Sequence, residues 1–376
     1  MEPETSTSTT DLPTTGDDTV GESSSTGDED TTTGDDLPHP ELYPTDRVQS
    51  PITAFVAAKI REIAAAPAGA DKDPGVFAKI GGGSTASANF MNCLADEMMI
   101  QDLPMDEAAL KTTIDHFRAV ALVDMTTSFN RASVAAMNGF TSDALVTMPT
   151  PIAMELEAIK PRFAQVLVGT HDLDKDQPAQ LWVFAEKMLD MVDALTINGV
   201  VPILTTIPQR TDIPAKDLFV PRYNAVLRAV AQGRQIPLVD LNLALAGLPM
   251  SGVAAEGDLS VFVSAMVDRP CHFGEAALMY GYNVRNLEAL RSLDRARQVV
   301  VEEVPELDTP GPRLAGAGTM ADPYQIPSLP FVDLRSTADS TSDIIDNYLG
   351  ACDGMKDESG PEVFYKLEVE APIDVR

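Results

Sequence analysis

A glycine-rich turn after a short apolar run is the feature that most constrains what this chain can fold into. Residues 76–80 read Val-Phe-Ala-Lys-Ile and are followed by three glycines and then by Ser84 and Thr85. An apolar run that breaks in this way predicts a buried strand ending in a tight turn. Because glycine adopts positive φ and lets other groups approach closely, turns of this kind often line functional sites.

Strand-like and helical patterns alternate after this turn. The first helix is predicted to begin at Ser50 and Pro51, which fit the N-cap and N1 positions. The other predicted elements are strands at 76–80, 133–137, 165–168, 200–205 and 236–241, and helices near 106–118, 151–160, 179–196, 216–232 and 274–291. Apolar strands that alternate with amphipathic helices indicate a parallel sheet covered on both faces. The predicted fold class is therefore α/β, with a doubly wound parallel five-stranded sheet flanked by helices.

Composition divides the chain into four parts. Residues 1–48 carry thirteen acidic side chains and one basic one, and are rich in Thr, Ser, Gly and Asp. They are predicted to be a solvated tether, because they have little apolar surface to bury. Residues 49–305 form the predicted α/β domain and 306–322 a linker. Residues 323–376 look like the start of a β domain resembling the pre-peptidase C-terminal type, cut short.

Charge and hydropathy exclude several partners. The formal charge of −30 argues against nucleic acid and anionic membranes, which need a basic surface. No apolar run is long enough to predict a transmembrane segment, and the first residues lack a signal peptide. The chain is therefore either cytoplasmic or lacks its natural N-terminus. The tether resembles those that join exported bacterial lipoproteins to their folded domains, which favours a location at the cell surface or outside the cell.

Two residue patterns raise the question of covalent and metal sites. Cys93, Cys271 and Cys352 include no Cys-x-x-Cys pair, so a zinc cluster is not expected. Cys93 and Cys271 could form a disulfide in an exported protein or remain buried thiols. Asp172, Asp174 and Asp176 are spaced like calcium ligands, but the glycine and glutamate of a calcium loop are absent, which favours a solvated acidic loop or a helix cap. No metal or other cofactor is predicted.

Several stretches together resemble the SGNH (GDSL-type) hydrolases over residues 49–295. The glycine turn resembles the family's first block, 133–145 resembles the second, and Gly169-Thr170-His171-Asp172 resembles the third. The resemblance implies a flavodoxin-like α/β fold and a serine esterase mechanism. In that mechanism a serine attacks an ester, a histidine takes its proton, an aspartate orients the histidine, and two N–H groups and an asparagine bind the oxyanion.

The chain departs from the family at the residues that carry this chemistry. Gly82 stands at the family's aspartate of block one and Gly83 at its nucleophile, with Ser84 one residue late. His171 replaces the oxyanion asparagine, although the block-two glycine is kept as Gly139. Asp258 stands at the position of the catalytic histidine, and an aspartate is a much weaker base.

Three hypotheses follow. In the leading one the domain has lost esterase chemistry and keeps a cleft that binds an acylated or glycan ligand; the cleft would be lined by Gly81, Gly82, Gly83, Gly139, His171 and Asp258. In the second, the chain is an active esterase that uses Ser84 with His272 and Asp268, since i and i+4 face the same way in a helix. In the third, the chain is a structural surface protein with a vacant cleft. The sequence leaves the oligomeric state open.

Overall fold

The computed structural model describes residues 40–104, 107–147, 150–175, 180–329, 331–335, 337–338, 340–344 and 360–369. Within these residues the helices are α1 (Ala54–Ala64), α2 (Gly83–Ala86), α3 (Ala108–Arg118), α4 (Ser142–Val146), α5 (Pro151–Ile159), α6 (Gln180–Ile197), α7 (Pro214–Asp217), α8 (Val220–Arg234), α9 (Leu241–Leu245) and α10 (Gly281–Val300). The strands are β1 (Asp73–Gly81), β2 (Pro161–Leu167), β3 (Val201–Thr205), β4 (Leu238–Val239), β5 (Val263–Ser264), β6 (Val267–Asp268), β7 (Tyr324–Gln325) and β8 (Tyr365–Lys366). None of the described helices is both long and apolar enough to cross a bilayer.

Four strands form a parallel sheet in the order β1-β2-β3-β4. This arrangement confirms the predicted α/β class and the parallel sheet. The predicted fifth strand at 133–137 is wrong, because this segment makes only one parallel bridge, between Ala136 and Gly81. Its backbone exchanges two hydrogen bonds with Gly81 and then turns at Gly139, where φ is +85°. The segment lies beside β1, at the edge of the sheet.

Alternating strand side chains build a hydrophobic core on each face of the sheet. Phe77 and Phe163 face a core formed with α1, α3 and α10, where Phe77 packs edge-to-face against Phe117 with ring centroids 5.2 Å apart. Val76 and Ala78 face the opposite core, formed with α5, α6 and α8. Because both faces are covered, the strands are mostly apolar, with Lys79, Arg162 and Gln165 as buried polar exceptions, and this composition made them recognisable in the sequence.

The start of α1 differs from the prediction. Its N-cap is Thr53, and Ser50 is instead paired with β4: its N–H donates to the Leu238 carbonyl, and its Oγ accepts from the Leu238 N–H, both at 2.9 Å. Tyr43 is also buried, with its hydroxyl donating to the Ile236 carbonyl. Residues 40–48 therefore pack on the domain rather than belong to the solvated tether; residues 1–39 lie outside the described part.

Cys93 and Cys271 form a disulfide, which was one of the two alternatives predicted for this pair. It joins the segment that follows α2 to the segment that precedes α10, across a sequence separation of 178 residues. Cys352 lies outside the described residues.

The described C-terminal residues contain little regular structure. β7 and β8 form one parallel pair of two residues each. Leu334 packs against Gly233 of α8, and the Gln232 side chain donates to Asp333 at 2.9 Å. This segment therefore contacts the α/β domain, while a separate β domain in 323–376 stays a prediction.

Candidate functional site

A cavity of about 580 Å³ opens at the carboxyl ends of β1, β2 and β3. It is lined by the turn after β1, the loop after β2, the loop after β3 and the segment that precedes β5. Parallel α/β sheets commonly bind ligands at this edge. Four of the six predicted cleft residues line it, namely Gly82, Gly83, His171 and Asp258, and so does Ser84. Gly81 and Gly139 lie directly beside lining residues.

Glycines shape the turn after β1. At Gly81 φ is +154°, and a Cβ there would lie 2.0 Å from the carbonyl oxygen of Leu167, so no larger residue fits. A Cβ at Gly83 would lie 2.8 Å from Asn138 Oδ1. The amide of Asn138 therefore occupies the space into which a side chain at position 83 would extend. Position 83 is the one that the family resemblance assigns to the nucleophile.

The wall formed by the loops after β2 and β3 carries a histidine–aspartate contact and an arginine–aspartate ion pair. His171 Nδ1 lies 3.4 Å from Asp174 Oδ2, and the imidazole is about one-third exposed. Arg210 donates to both carboxylate oxygens of Asp212 at 2.9 Å, and also approaches Asp174. These hydrogen bonds from Arg210 lower the pKa of Asp212 below its ordinary value. These contacts hold the side chains of His171, Arg210 and Asp212 in place along this wall.

The part of the cavity wall around Asp258 is held by the first two turns of α10. The Tyr282 hydroxyl lies 2.9 and 2.8 Å from the two carboxylate oxygens of Asp258 and donates its hydrogen to them. Burial of the phenol, and then the nearby negative charge of Asp258, raise the pKa of Tyr282. Tyr282 therefore remains a neutral donor over the whole range in which an exposed tyrosine would begin to ionise.

Arg285, one turn further along α10, holds the turn after β1 in place by hydrogen bonds. Its guanidinium donates to the Ser84 carbonyl at 2.7 Å and to Thr85 Oγ1 at 2.8 Å, and it stacks on Phe90 at 3.8 Å. Burial lowers the pKa of Arg285 to about 10, which still leaves it charged at neutral pH. Tyr282 and Arg285 together connect Asp258 to Ser84.

The alternative triad does not form one cluster in the structure. Ser84 lines the cavity, whereas neither His272 nor Asp268 does. His272 Nδ1 accepts from the Gly274 N–H at 3.2 Å and lies 3.5 Å from Asp102, and Asp268 accepts from Asn89. The loop that carries both residues is not helical, because Asp268 ends β6 and a turn follows it.

The three aspartates with calcium-like spacing have separate environments. Asp172 is fully buried and accepts hydrogen bonds from the N–H and Oγ of Ser142, which tie the loop after β2 to α4. Asp174 pairs with His171 and Arg210, and Asp176 lies outside the described residues. Within the described part of the chain, no group of acids, histidines and cysteines is arranged to hold a metal ion.

Four residues of the site were not predicted from the sequence: Asn138, Arg210, Tyr282 and Arg285. Tyr282 and Arg285 are spaced i and i+3, so a helix in this region places them on one face. That spacing was the available signal, but nothing in the sequence indicates that this face meets Asp258, 24 residues earlier.

One family model matches part of the chain. Residues 114–277 match the model of the GDSL-like lipase/acylhydrolase family, which confirms the resemblance over this stretch. The matched stretch begins after β1 and its glycine turn and ends before α10. No match is found among curated proteins.

Two solved structures are similar to parts of the chain. Axe2, an acetylxylan esterase from Geobacillus stearothermophilus, is 16% identical over 42% of this chain and 69% of its own, with a TM-score of 0.31. A mutant of Axe2, described as an acetyl-xylooligosaccharide esterase, is 15% identical over 58% of this chain and 92% of its own, with a TM-score of 0.35.

Proposed function

We propose that this chain binds a glycan or an O-acylated sugar in the cavity and does not hydrolyse it. The observation that carries the proposal is the hydrogen-bonding of Asp258, the residue at the family's histidine position. Both of its carboxylate oxygens accept from the hydroxyl of Tyr282, and Oδ1 also accepts from the Leu259 N–H. A catalytic base must be free to take a proton from the nucleophile, and this carboxylate is engaged by the protein.

The other parts of a serine esterase are also displaced. Position 83 has no side chain, and the amide of Asn138 stands where one would extend. His171 lines the cavity, but its Nδ1 faces Asp174. Catalysis by a serine hydroxyl depends on nucleophile and base within hydrogen-bond reach, and the described contacts supply no such pair.

The cavity lining suits a polyhydroxylated ligand. Ser84, Ser87, Thr170 and Asn138 offer neutral donors and acceptors, and Asp258 offers a carboxylate held in position. Sugar hydroxyls both donate and accept, so a rigid array of this kind can orient them. The acyl group is part of the proposal because the matched family is named for lipases and acylhydrolases.

Two measurements on the purified chain test this function. Calorimetric titration with acetylated and deacetylated xylo-oligosaccharides and other glycans is expected to find binding, and a nitrophenyl acetate assay is expected to find no turnover above buffer. In Asp258→Asn the affinity should fall about tenfold, because a hydrogen bond to a charged acceptor is worth about 1.5–3 kcal/mol. Asp193→Asn, an exposed aspartate paired with Arg234, is the matched control and should bind like the wild type.

Each alternative hypothesis predicts a different result. Turnover that is lost in Ser84→Ala and in His272→Ala would replace the proposal with the active esterase. Failure of the whole panel to bind, with the fold intact by circular dichroism, would favour the structural protein with a vacant cleft.

A further inference from the structure

The chain contains two Asn-Gly dipeptides, Asn138-Gly139 and Asn198-Gly199. Asparagine followed by glycine is the sequence in which the next backbone nitrogen most easily reaches the side-chain amide, because glycine has no Cβ to obstruct it. Whether this occurs in a folded protein depends on how firmly the two residues are held. The two dipeptides differ sharply in that respect.

We propose that Asn138 is a site of spontaneous deamidation through a succinimide and that Asn198 is protected from it. Asn138 and Gly139 are both exposed, and a Cβ at Gly139 would meet no atom within 4 Å. Among the described residues, no hydrogen bond holds the Gly139 N–H or the Asn138 side chain. Within the described residues, therefore, no hydrogen bond restrains the attacking nitrogen or the amide that it attacks; the turn that contains them is closed by the Phe140 N–H donating to the Met137 carbonyl at 3.2 Å.

The reaction is a substitution followed by hydrolysis. The backbone nitrogen of Gly139 loses its proton and bonds to Cγ of Asn138, while the Cγ–Nδ2 bond breaks and ammonia leaves. Water then opens the five-membered ring at one of its two carbonyls, which gives aspartate or isoaspartate. The net change replaces an amide nitrogen by oxygen and consumes one water, with no oxidation or reduction.

Asn198-Gly199 could undergo the same reaction, but hydrogen bonds hold both of its reacting groups. The Gly199 N–H donates to the Thr196 carbonyl at 3.0 Å, and the Asn198 side-chain amide donates to the Ala194 carbonyl at 2.8 Å. Gly199 is buried against Gly69, where a Cβ would lie 2.5 Å from the Gly69 Cα. Attack at Asn198 therefore requires local unfolding of the end of α6.

Deamidation at Asn138 would alter the cavity itself. Asn138 lines it, and its amide lies over Gly83. The product adds a negative charge to a cavity that already carries Asp212, Glu256 and Asp258, and isoaspartate also adds one methylene to the backbone of the loop. Loss of ligand affinity with age would follow, and this consequence rests on the proposed function; the modification itself does not.

Peptide mapping by mass spectrometry tests the modification directly. After incubation of the intact chain in mildly alkaline buffer, the peptide with residue 138 should gain about 1 Da and become a substrate for isoaspartyl methyltransferase. The peptide with residue 198 should react at least about tenfold more slowly, because its reaction waits for local opening. In urea, with the disulfide intact, the two rates should converge, which would show that the native structure causes the difference.

Two variants sharpen the test. Asn138→Gln keeps the amide but lengthens the side chain, so methyltransferase labelling at this position should disappear. Freshly purified Asn138→Asp carries the charge before isoaspartate has accumulated, because an aspartate closes to the succinimide more slowly than an asparagine, and it separates the two effects on ligand affinity. The proposal is overturned if the native chain stays unmodified at 138, or if both dipeptides react at the same rate. Modification without any change in affinity would count against the proposed function alone.

Discussion

Replacing Tyr282 by phenylalanine removes one hydroxyl and leaves a ring that is only 1% exposed in place. The substitution removes the hydrogen bond from the hydroxyl to Asp258, and also a longer contact of 3.4 Å between the hydroxyl and the Ser84 carbonyl. A hydrogen bond to a charged group contributes about 1.5–3 kcal/mol. Asp258 faces the cavity, so water can replace part of the interaction, and we expect a loss near the lower end, about 2 kcal/mol. In a domain of this size that corresponds to a fall in Tm of about 4 °C.

Urea unfolding followed by far-ultraviolet circular dichroism measures this loss, provided that the slope of the transition is unchanged. Tyr280→Phe is the matched control: its ring packs against Phe262, and no hydrogen bond from its hydroxyl occurs among the described residues. The control should change stability by less than about 0.5 kcal/mol. If Tyr282→Phe is as stable as the control, the hydroxyl does not hold Asp258 and the argument for the engaged carboxylate fails.

Three further perturbations test the packing around the site. Burial lowers the pKa of Lys79 to about 8, whereas its value in the unfolded chain is about 10.4. Because the unfolded chain then binds more protons than the folded one, the free energy of unfolding of the wild type should rise by about 3 kcal/mol relative to that of Lys79→Met as pH increases between these values. A difference in urea unfolding that does not vary with pH would contradict this. Replacing both Cys93 and Cys271 by serine removes a cross-link between residues that are 178 apart in sequence, and should lower the free energy of unfolding by about 5 kcal/mol in the same assay. Unchanged stability would mean that the disulfide does not form. Gly81→Ala places a Cβ 2.0 Å from a backbone oxygen and should lower the free energy of unfolding by more than about 3 kcal/mol. In the control Gly247→Ala the new Cβ meets no atom within 4 Å, and the loss should be less than about 0.5 kcal/mol. Equal changes in Tm would show that the clash at Gly81 does not occur.

Local patterns predicted the elements that are covered on both sides. Residues 76–80 of β1 are apolar except for Lys79, β3 is an apolar run, and α6 has a regular apolar face, so period and composition located all three. The segment at 133–137 has similar composition, but Val134 and Met137 are exposed and only one residue bridges to β1. Composition alone does not distinguish a strand from an apolar edge segment, because the difference lies in which backbone groups find partners.

The site was predictable in position but not in its contacts. The glycine turn marked the end of β1 and hence the cavity, since carboxyl ends of parallel strands share one edge. The pairing of Asp258 with Tyr282 depends on how α10 meets the segment before β5. Ser50 shows the same limit: its sequence context indicates a helix cap, while its actual partner is Leu238 of β4.

Loss of esterase chemistry is tested by the reaction of the chain with a serine-directed fluorophosphonate, followed by intact mass spectrometry. The mass should stay unmodified under conditions in which an active serine esterase is fully labelled, and glycan binding should be retained. A stoichiometric adduct on Ser84 that disappears in Ser84→Ala would contradict it.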